Sequence, residues 1–162
     1  MTAPLVRIAA GPDDIIAVRS LFIEYAQALD YDTCFDDFDQ EMSGLPGEYG
    51  PPTGSLLIAY HGGEPIGAVG LRSITPEIAE IKRLYVQSRA RGWGLGRRLM
   101  DQALSEAVRL GYEKLILETL PSMTEAHALY ANLGFTPIVG ATTDVIGRLE
   151  LRIGGTVSGS GS

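Results

Sequence analysis

A glycine-rich loop at residues 91–98 lies between an apolar strand pattern and an amphipathic helix pattern. The first four N–H groups of a helix have no partner within it, and the helix dipole adds partial positive charge there. Glycines let such a loop approach phosphate oxygens closely with several N–H donors. Arg97 and Arg98 follow in the first turn, where each cation destabilises the free helix by roughly 0.3–1 kcal/mol because it lies at the positive end of the helix dipole. A bound anion would reverse this effect. This unit therefore predicts an α/β domain that binds a phosphate-bearing ligand.

The charge distribution supports a compact anionic ligand. The net charge is −7, which argues against nucleic-acid binding because that requires a surplus of basic residues. Between Glu80 and Asp101, however, no acidic residue occurs. A basic island in an acidic chain favours an anion site over a chance surface cluster. Its members are Lys82, Arg83, Arg89, Arg91, Arg97 and Arg98.

Hydrophobic periodicity predicts the remaining elements. Turn and cap residues mark their ends, among them Gly111 after the third helix and a capping box at residues 122–125. We expect one domain over residues 1–153 and a flexible Gly/Ser-rich tail over residues 154–162. Strands are predicted at residues 5–9, 55–60, 66–71, 78–86, 114–118, 135–139 and 146–153, and helices at residues 11–29, 35–42, 94–110 and 122–134.

Several classes of protein are disfavoured by composition. No apolar run approaches the roughly 18 residues that a membrane helix needs, and the first residues do not form a secretory signal. Cys34 is the only cysteine, so no internal disulfide is possible, and a covalent role for it is disfavoured. No metal-ligand spacing is present, so no metal is expected. The cytoplasm is the simplest location.

The glycine spacing separates this loop from two other phosphate-binding loops. A Walker loop would require Gly-Lys-Ser/Thr, and a dinucleotide loop would require Gly-x-Gly-x-x-Gly after an early strand. Here Gly92-x-Gly94-x-Gly96 follows the fourth predicted strand. The pattern Arg91-x-x-Gly94-x-Gly96, together with the later segment at residues 129–135, resembles the GNAT superfamily of N-acetyltransferases. This resemblance covers residues 5–153 and is closest to a bacterial branch with similar segments at residues 80–86 and 119–123.

The resemblance implies an α/β (α+β) fold with a mixed, mostly antiparallel sheet of about six or seven strands and about four helices. It also implies acetyl-CoA as the acetyl donor. The backbone amides of Arg91, Gly92, Gly94, Gly96 and Arg97 would bind the pyrophosphate. The main chain of Leu84 and Val86 would pair with the pantetheine arm. The N–H of Val86 would polarise the thioester carbonyl, and Tyr130 would protonate the leaving thiolate. The implied cofactor-binding residues are Leu84, Tyr85, Val86, Arg91, Gly92, Trp93, Gly94, Leu95, Gly96 and Arg97.

Amine attack also needs a base, acting directly or through water. In a regular strand Glu80, Lys82, Leu84 and Val86 share one face, which suggests either a site or a bulge that redirects the charged residues. Glu80 is the first candidate and Glu118 the second. The alternative is that either carboxylate pairs with Lys82 or Arg83.

The acceptor side is less well determined by the sequence. An acidic segment follows the first helix and suggests a cationic amine, although a solvated loop explains it equally well. Small-molecule and peptide amines both remain open, as does a homodimer. A non-catalytic acyl-CoA-binding module on the same fold is the alternative function, and an interaction domain is a third. The acidic residues of this segment are Asp30, Asp32, Asp36, Asp37, Asp39, Glu41 and Glu48.

Overall fold

The computed structural model describes residues 3–28, 37–119, 124–138 and 147–153. The helices and strands lie where the sequence patterns predict them, with ends that differ by a few residues. The strands are β1 (Leu5–Ile8), β2 (Ser55–His61), β3 (Glu64–Ser73), β4 (Ile78–Val86), β5 (Lys114–Thr119), β6 (Thr136–Pro137) and β7 (Gly147–Arg152). The helices are α1 (Gly11–Ala28), α2 (Asp37–Ser43), α3 (Leu95–Arg109) and α4 (Thr124–Leu133).

The described strands form one mixed sheet in the order β1-β2-β3-β4-β5-β7-β6. Only β4 and β5 are parallel neighbours, and every other adjacent pair is antiparallel. A parallel pair requires a crossover connection, which α3 supplies. The predicted mixed, mostly antiparallel sheet with four helices is therefore confirmed.

Two apolar layers cover the sheet. On one face α3 packs with buried side chains such as Leu99 and Met100 against β2, β3 and β4. On the other face α1 contributes Val18, Leu21 and Phe22 to a second cluster that also includes residues of α2. The apolar periodicities of α1 and α3 thus predict the faces that are buried. The sheet lies between these layers, so its open ends are available for a ligand.

A bulge in β4 changes which face each later residue occupies. The β3–β4 register passes from Gly70 opposite Lys82 to Ala68 opposite Tyr85, which leaves one extra residue in β4. Arg83 within this bulge has a φ of 62°, in the left-handed region that side chains rarely occupy. Bulges bend a strand and redirect its side chains, often beside a functional site.

Some predicted features fall outside the described residues. These are the tail at residues 154–162, Cys34, Leu29, and the first two residues of the capping box at residues 122–125. The assignment of residues 1–153 to one domain stays a prediction.

Candidate functional site

The central feature of the site is a split between β4 and β5. Their parallel pairing extends only from Ile78–Lys114 to Ile81–Leu117, so the later part of β4 pairs with no described strand on its β5 side. The Arg91 side chain donates to the Val86 carbonyl there at 3.4 Å. The Gln87 N–H donates to the Ile66 carbonyl on the β3 side at 2.9 Å. Because backbone groups alternate in direction along a strand, the N–H of Val86 points into the split. A ligand entering the split would therefore meet an available strand edge.

The bulge corrects the prediction that Glu80, Lys82, Leu84 and Val86 share one face. Leu84 and Val86 pack with the α3 layer. Lys82 lies opposite Gly70, whose α1-side surface is covered by the ring of Tyr49. The extra residue at the bulge reverses the alternation, so the charged and apolar side chains occupy opposite faces. The mixture of charged and apolar residues on β4 is compatible with a site or with a bulge, and the structure has a bulge.

The loop before α3 presents peptide N–H groups without backbone acceptors. Gly94 is the N-cap of α3, with a φ of 79°, and no side chain caps the helix. Five N–H groups of the loop and the first turn of α3 have no backbone acceptor among the described residues. They are those of Gly92, Gly94, Leu95, Gly96 and Arg97. The amides of Arg91 and Trp93, by contrast, donate to Ser88 and Ala90 carbonyls at 3.3 Å.

The basic side chains around this loop are partly engaged within the protein. Arg97 forms an exposed ion pair with Asp101 at 3.2 Å. Arg98 donates to the Pro4 carbonyl at 2.9 Å. These contacts offset some of the unfavourable charge at the helix N-terminus. Trp93 is 47% exposed, and its ring meets His61 edge-on with centroids 5.0 Å apart.

Tyr130 lies on α4 and is buried, with 3% of its surface exposed. Its ring packs against Phe135 with centroids 5.9 Å apart. Burial raises the pKa of the Tyr130 hydroxyl, and the nearby Tyr25 on α1 raises it further. Tyr130 therefore stays protonated at neutral pH and can act as a proton donor. Its helix neighbour Leu129 lies 3.4 Å from a Cβ built at Gly96, which brings α4 against the first turn of α3.

Both predicted base candidates are bonded to arginines. Glu80 is buried and accepts hydrogen bonds from Arg72 at 3.0 Å and 2.9 Å, so its partner is Arg72 rather than Lys82 or Arg83. Arg72 is the residue directly opposite Glu80 on β3. Glu118 follows the last β4–β5 pair and accepts from Arg148 on β7 at 2.9 Å. Each carboxylate thus has a cationic partner within the sheet.

Two of the three acidic side chains that the structure describes in the acidic segment, Glu41 and Glu48, pair with arginines, whereas Asp39 is exposed. Glu41 on α2 accepts two hydrogen bonds from Arg83, and Glu48 accepts one from Arg72 at 2.6 Å. Burial alone would raise the pKa of Glu41, but the Arg83 hydrogen bonds and charge outweigh it and lower the pKa. Asp30, Asp32 and Asp36 lie outside the described residues, as does the side chain of Asp37.

A polar group that the sequence analysis did not select lies beside the split. Glu24 on α1 accepts hydrogen bonds from the Gln87 side chain at 2.9 Å and the Tyr85 hydroxyl at 3.2 Å. Tyr25 meets the Tyr85 ring edge-on with centroids 6.1 Å apart. The sequence shows only that Glu24 adjoins the apolar stripe of α1. Its partners could not be identified from the sequence because they come from a distant strand.

None of the helices that the structure describes is long and apolar enough to cross a bilayer. Within residues 3–28, 37–119, 124–138 and 147–153, no group of three or more His, Cys, Asp and Glu side chains could hold a metal ion.

Comparison with known proteins gives consistent matches. The model of the acetyltransferase (GNAT) family matches residues 15–135. The uncharacterized N-acetyltransferase C1271.07c of Schizosaccharomyces pombe is 34% identical over 126 residues, which cover 76% of this chain and 77% of that protein. The uncharacterized N-acetyltransferase YjgM of Escherichia coli is 30% identical over 124 residues, covering 75% and 73%.

The fold is also similar to that of solved structures. The structure of yncA from Salmonella typhimurium with its cofactor acetyl-CoA superimposes with a TM-score of 0.72 at 19% identity. The match covers 94% of this chain and 95% of that chain.

Proposed function

Because the chain belongs to the acetyltransferase (GNAT) family, we propose that it transfers the acetyl group to a primary amine by direct attack. Family membership makes it an acetyltransferase with acetyl-CoA as the donor, as the resemblance implied. The observation that carries the proposal is the combination of free loop amides with a split sheet edge at Val86. The first fits a pyrophosphate and the second fits an extended pantetheine arm.

Donor binding in this proposal uses mainly backbone atoms. The free amides of the loop, from Gly92 to Arg97, contact the pyrophosphate, where the helix dipole favours negative charge. Leu84 and Val86 pair with the pantetheine amides along the split, as an added strand would. Arg91, Trp93 and Tyr85 border this path through their side chains. The positive φ of Gly92 and Gly94 makes glycine the suitable residue at both positions.

Activation of the thioester is assigned to the N–H of Val86. This group points away from β3 and into the split, so it can donate to the thioester carbonyl oxygen. Negative charge develops on that oxygen as the amine attacks, and a fixed donor stabilises it without rearrangement. Val86 is held in place by its pairing with Gly67.

Tyr130 is proposed as the general acid. The C–N bond forms as the amine attacks the acetyl carbon, and the C–S bond then breaks to release a thiolate. The Tyr130 hydroxyl gives its proton to that thiolate, and a proton lost by the amine then returns to the Tyr130 oxygen. The position of Tyr130 on α4, which packs through Leu129 against the first turn of α3, supports this role.

A carboxylate acting through water is proposed to receive the amine proton, with Glu80 and Glu118 as the candidates from sequence. In the structure the two carboxylates form ion pairs with Arg72 and Arg148. Glu118 lies nearer the point where β4 and β5 separate. Substitution of each by Gln, with kcat measured against pH, separates the two.

The acceptor is proposed to be a small-molecule or peptide amine, the acceptor classes of the family. A homodimer and a cytoplasmic location remain proposals of the same kind. The homodimer is proposed because apolar residues such as Trp93 are exposed. The cytoplasmic location is proposed because the sequence contains a single cysteine.

The proposed function is tested by binding followed by turnover. Acetyl-CoA should raise the melting temperature, and free thiol should appear only when an amine is added. Tyr130→Phe should keep the melting shift and lower kcat by about 10²–10⁴-fold, because the ring packing is retained while the proton donor is lost. Failure of acetyl-CoA to stabilise the wild-type chain, or thiol release that does not depend on amine, would overturn the proposal.

A further inference from the structure

The Glu24 carboxylate is held in a fixed position by two neutral donors. The side-chain amide of Gln87 contacts both of its oxygens, at 2.9 Å and 3.2 Å, and the Tyr85 hydroxyl contacts one at 3.2 Å. Glu24 is half-buried at the inner side of α1. Both donors come from the last part of β4 and the residue after it, so the orientation of the carboxylate depends on the tertiary fold.

Glu24 differs from the other carboxylates around the site in having no cationic partner. Glu41, Glu48, Glu80 and Glu118 each accept from an arginine. Among the residues that the structure describes, Glu24 forms no ion pair with Lys, Arg or His. A bound cation would supply the counter-charge that Glu24 lacks among these residues.

The position of Glu24 relates it to the proposed chemistry. Its two donors, Tyr85 and Gln87, are the residues on either side of Val86, whose N–H points into the split. The neighbouring Tyr25 contacts Tyr85 from α1 and interacts electrostatically with Tyr130 on the other face. The carboxylate, the candidate carbonyl donor and the candidate acid therefore converge at one opening of the sheet.

We propose that Glu24 binds the ammonium group of the acceptor and takes one proton from it before the amine attacks. This inference rests on the proposed function. The ammonium transfers one proton to the Glu24 carboxylate, and the resulting amine forms the C–N bond as the C–S bond breaks. Tyr130 protonates the thiolate, the second proton lost by the nitrogen returns to the Tyr130 oxygen through water, and Glu24 releases its proton to water. The structure assigns this role to Glu24 over Glu80 and Glu118 because only Glu24 is oriented without being neutralised.

The proposal defines a class of acceptor. An aliphatic primary amine is cationic at neutral pH and would gain a charge-assisted hydrogen bond from Glu24. An arylamine is largely uncharged at that pH and would gain much less. Glu24 is therefore a determinant of specificity for cationic amines as well as a catalytic residue.

The test compares the two amine classes in Glu24→Gln, which keeps the size of the side chain and an oxygen for Gln87 and Tyr85. Thiol release is measured with alkylamines and arylamines, and acetyl-CoA stabilisation is measured alongside. For alkylamines kcat/KM should fall by on the order of 10- to 100-fold. For arylamines it should change less than about twofold, and the acetyl-CoA melting shift should persist. The matched control Glu113→Gln removes an exposed carboxylate beside the opposite end of β5 and should behave as wild type.

The outcomes separate the two proposals. An equal loss for both amine classes indicates a structural role and overturns the inference, as does unchanged alkylamine turnover. In either case amine-dependent release by the wild-type chain leaves the proposed function intact. If the wild-type chain releases no thiol with any amine, the proposed function and the inference both fail.

Discussion

Arg83 donates two hydrogen bonds of 2.9 Å to the Glu41 carboxylate, which joins the bulge of β4 to α2. The Arg83 side chain is 9% exposed and that of Glu41 is 22% exposed. The guanidinium also lies 5.1 Å from the ring centre of Phe38. These contacts stabilise a residue whose φ of 62° would otherwise be unfavourable. The bulge in turn directs Leu84 and Val86 away from the face that Glu80 and Lys82 occupy.

We predict that Glu41→Gln destabilises the protein by about 3 kcal/mol, because it leaves the Arg83 guanidinium buried without its counter-charge. Chemical denaturation measures the change in the free energy of unfolding. Asp101→Asn is the control, since it removes the carboxylate of the exposed Arg97 pair and should cost less than about 1 kcal/mol. Equal effects of the two substitutions would show that the Arg83–Glu41 pair contributes no more than a surface pair.

The helices and strands could be predicted because their signals are local. The apolar periodicity of α1 and α3 and the strand patterns depend on neighbours within one element. The loop of Gly92, Gly94 and Gly96 predicts a phosphate site from an equally local signal, since N–H groups at helix N-termini favour anions, and this assignment stays a prediction.

The sequence pattern of β4 allows a bulge, but its occurrence and position could not be determined from the sequence because the stabilising contact is non-local. Arg83 is not a residue type that favours a positive φ, and its partner Glu41 lies far away in sequence. Without the bulge, a period of two places Glu80 and Val86 on one face, and that prediction was wrong. The pairing of Glu80 with Arg72 likewise depends on the β3–β4 register.

We predict a distinct acid response from Asp14. Burial alone would raise its pKa, but hydrogen bonds from Arg7, Tyr60 and the Ala10 amide outweigh burial and lower the pKa. A depressed carboxyl pKa contributes stability that is fully present above the unfolded value, near pH 4, and is lost as the pH falls through the folded value. Asp14→Asn should therefore cost about 1–3 kcal/mol at pH 7, and the difference from wild type should shrink below about pH 5.

Unfolding free energies measured from pH 7 to pH 3 test this response. Tyr60→Phe removes one of the donors to Asp14 and should move the acid loss toward higher pH, because the folded pKa then rises. A difference between Asp14→Asn and wild type that stays constant down to pH 3 would contradict the assignment.

We predict that Gly70→Ala destabilises the protein by about 1–3 kcal/mol through overpacking. A Cβ at Gly70 would lie 2.7 Å and 2.8 Å from two carbons of the Tyr49 ring, which is buried at 2% exposure. Thermal and chemical denaturation measure the loss. Adding Tyr49→Leu should recover part of it, so the two effects should be less than additive. Strict additivity would mean that the ring moves freely and that the close approach has no energetic weight.

We predict that Gly96→Ala separates stability from donor binding. Among the residues that the structure describes, a Cβ at Gly96 meets Leu129 alone, at an ordinary contact distance of 3.4 Å, and alanine favours the helix by about 1 kcal/mol over glycine. The melting temperature should therefore stay the same or rise.

If Gly96 lets the pyrophosphate approach the start of α3, the added methyl should raise the Kd of acetyl-CoA by roughly tenfold or more, the effect of losing about 1.4 kcal/mol of contact. Calorimetric titration measures that affinity, and Gly111→Ala serves as the control because it lies after the opposite end of α3, where its positive φ predicts a stability loss without a change in affinity. Undiminished acetyl-CoA affinity in Gly96→Ala would mean that the phosphates do not lie against this turn of the helix.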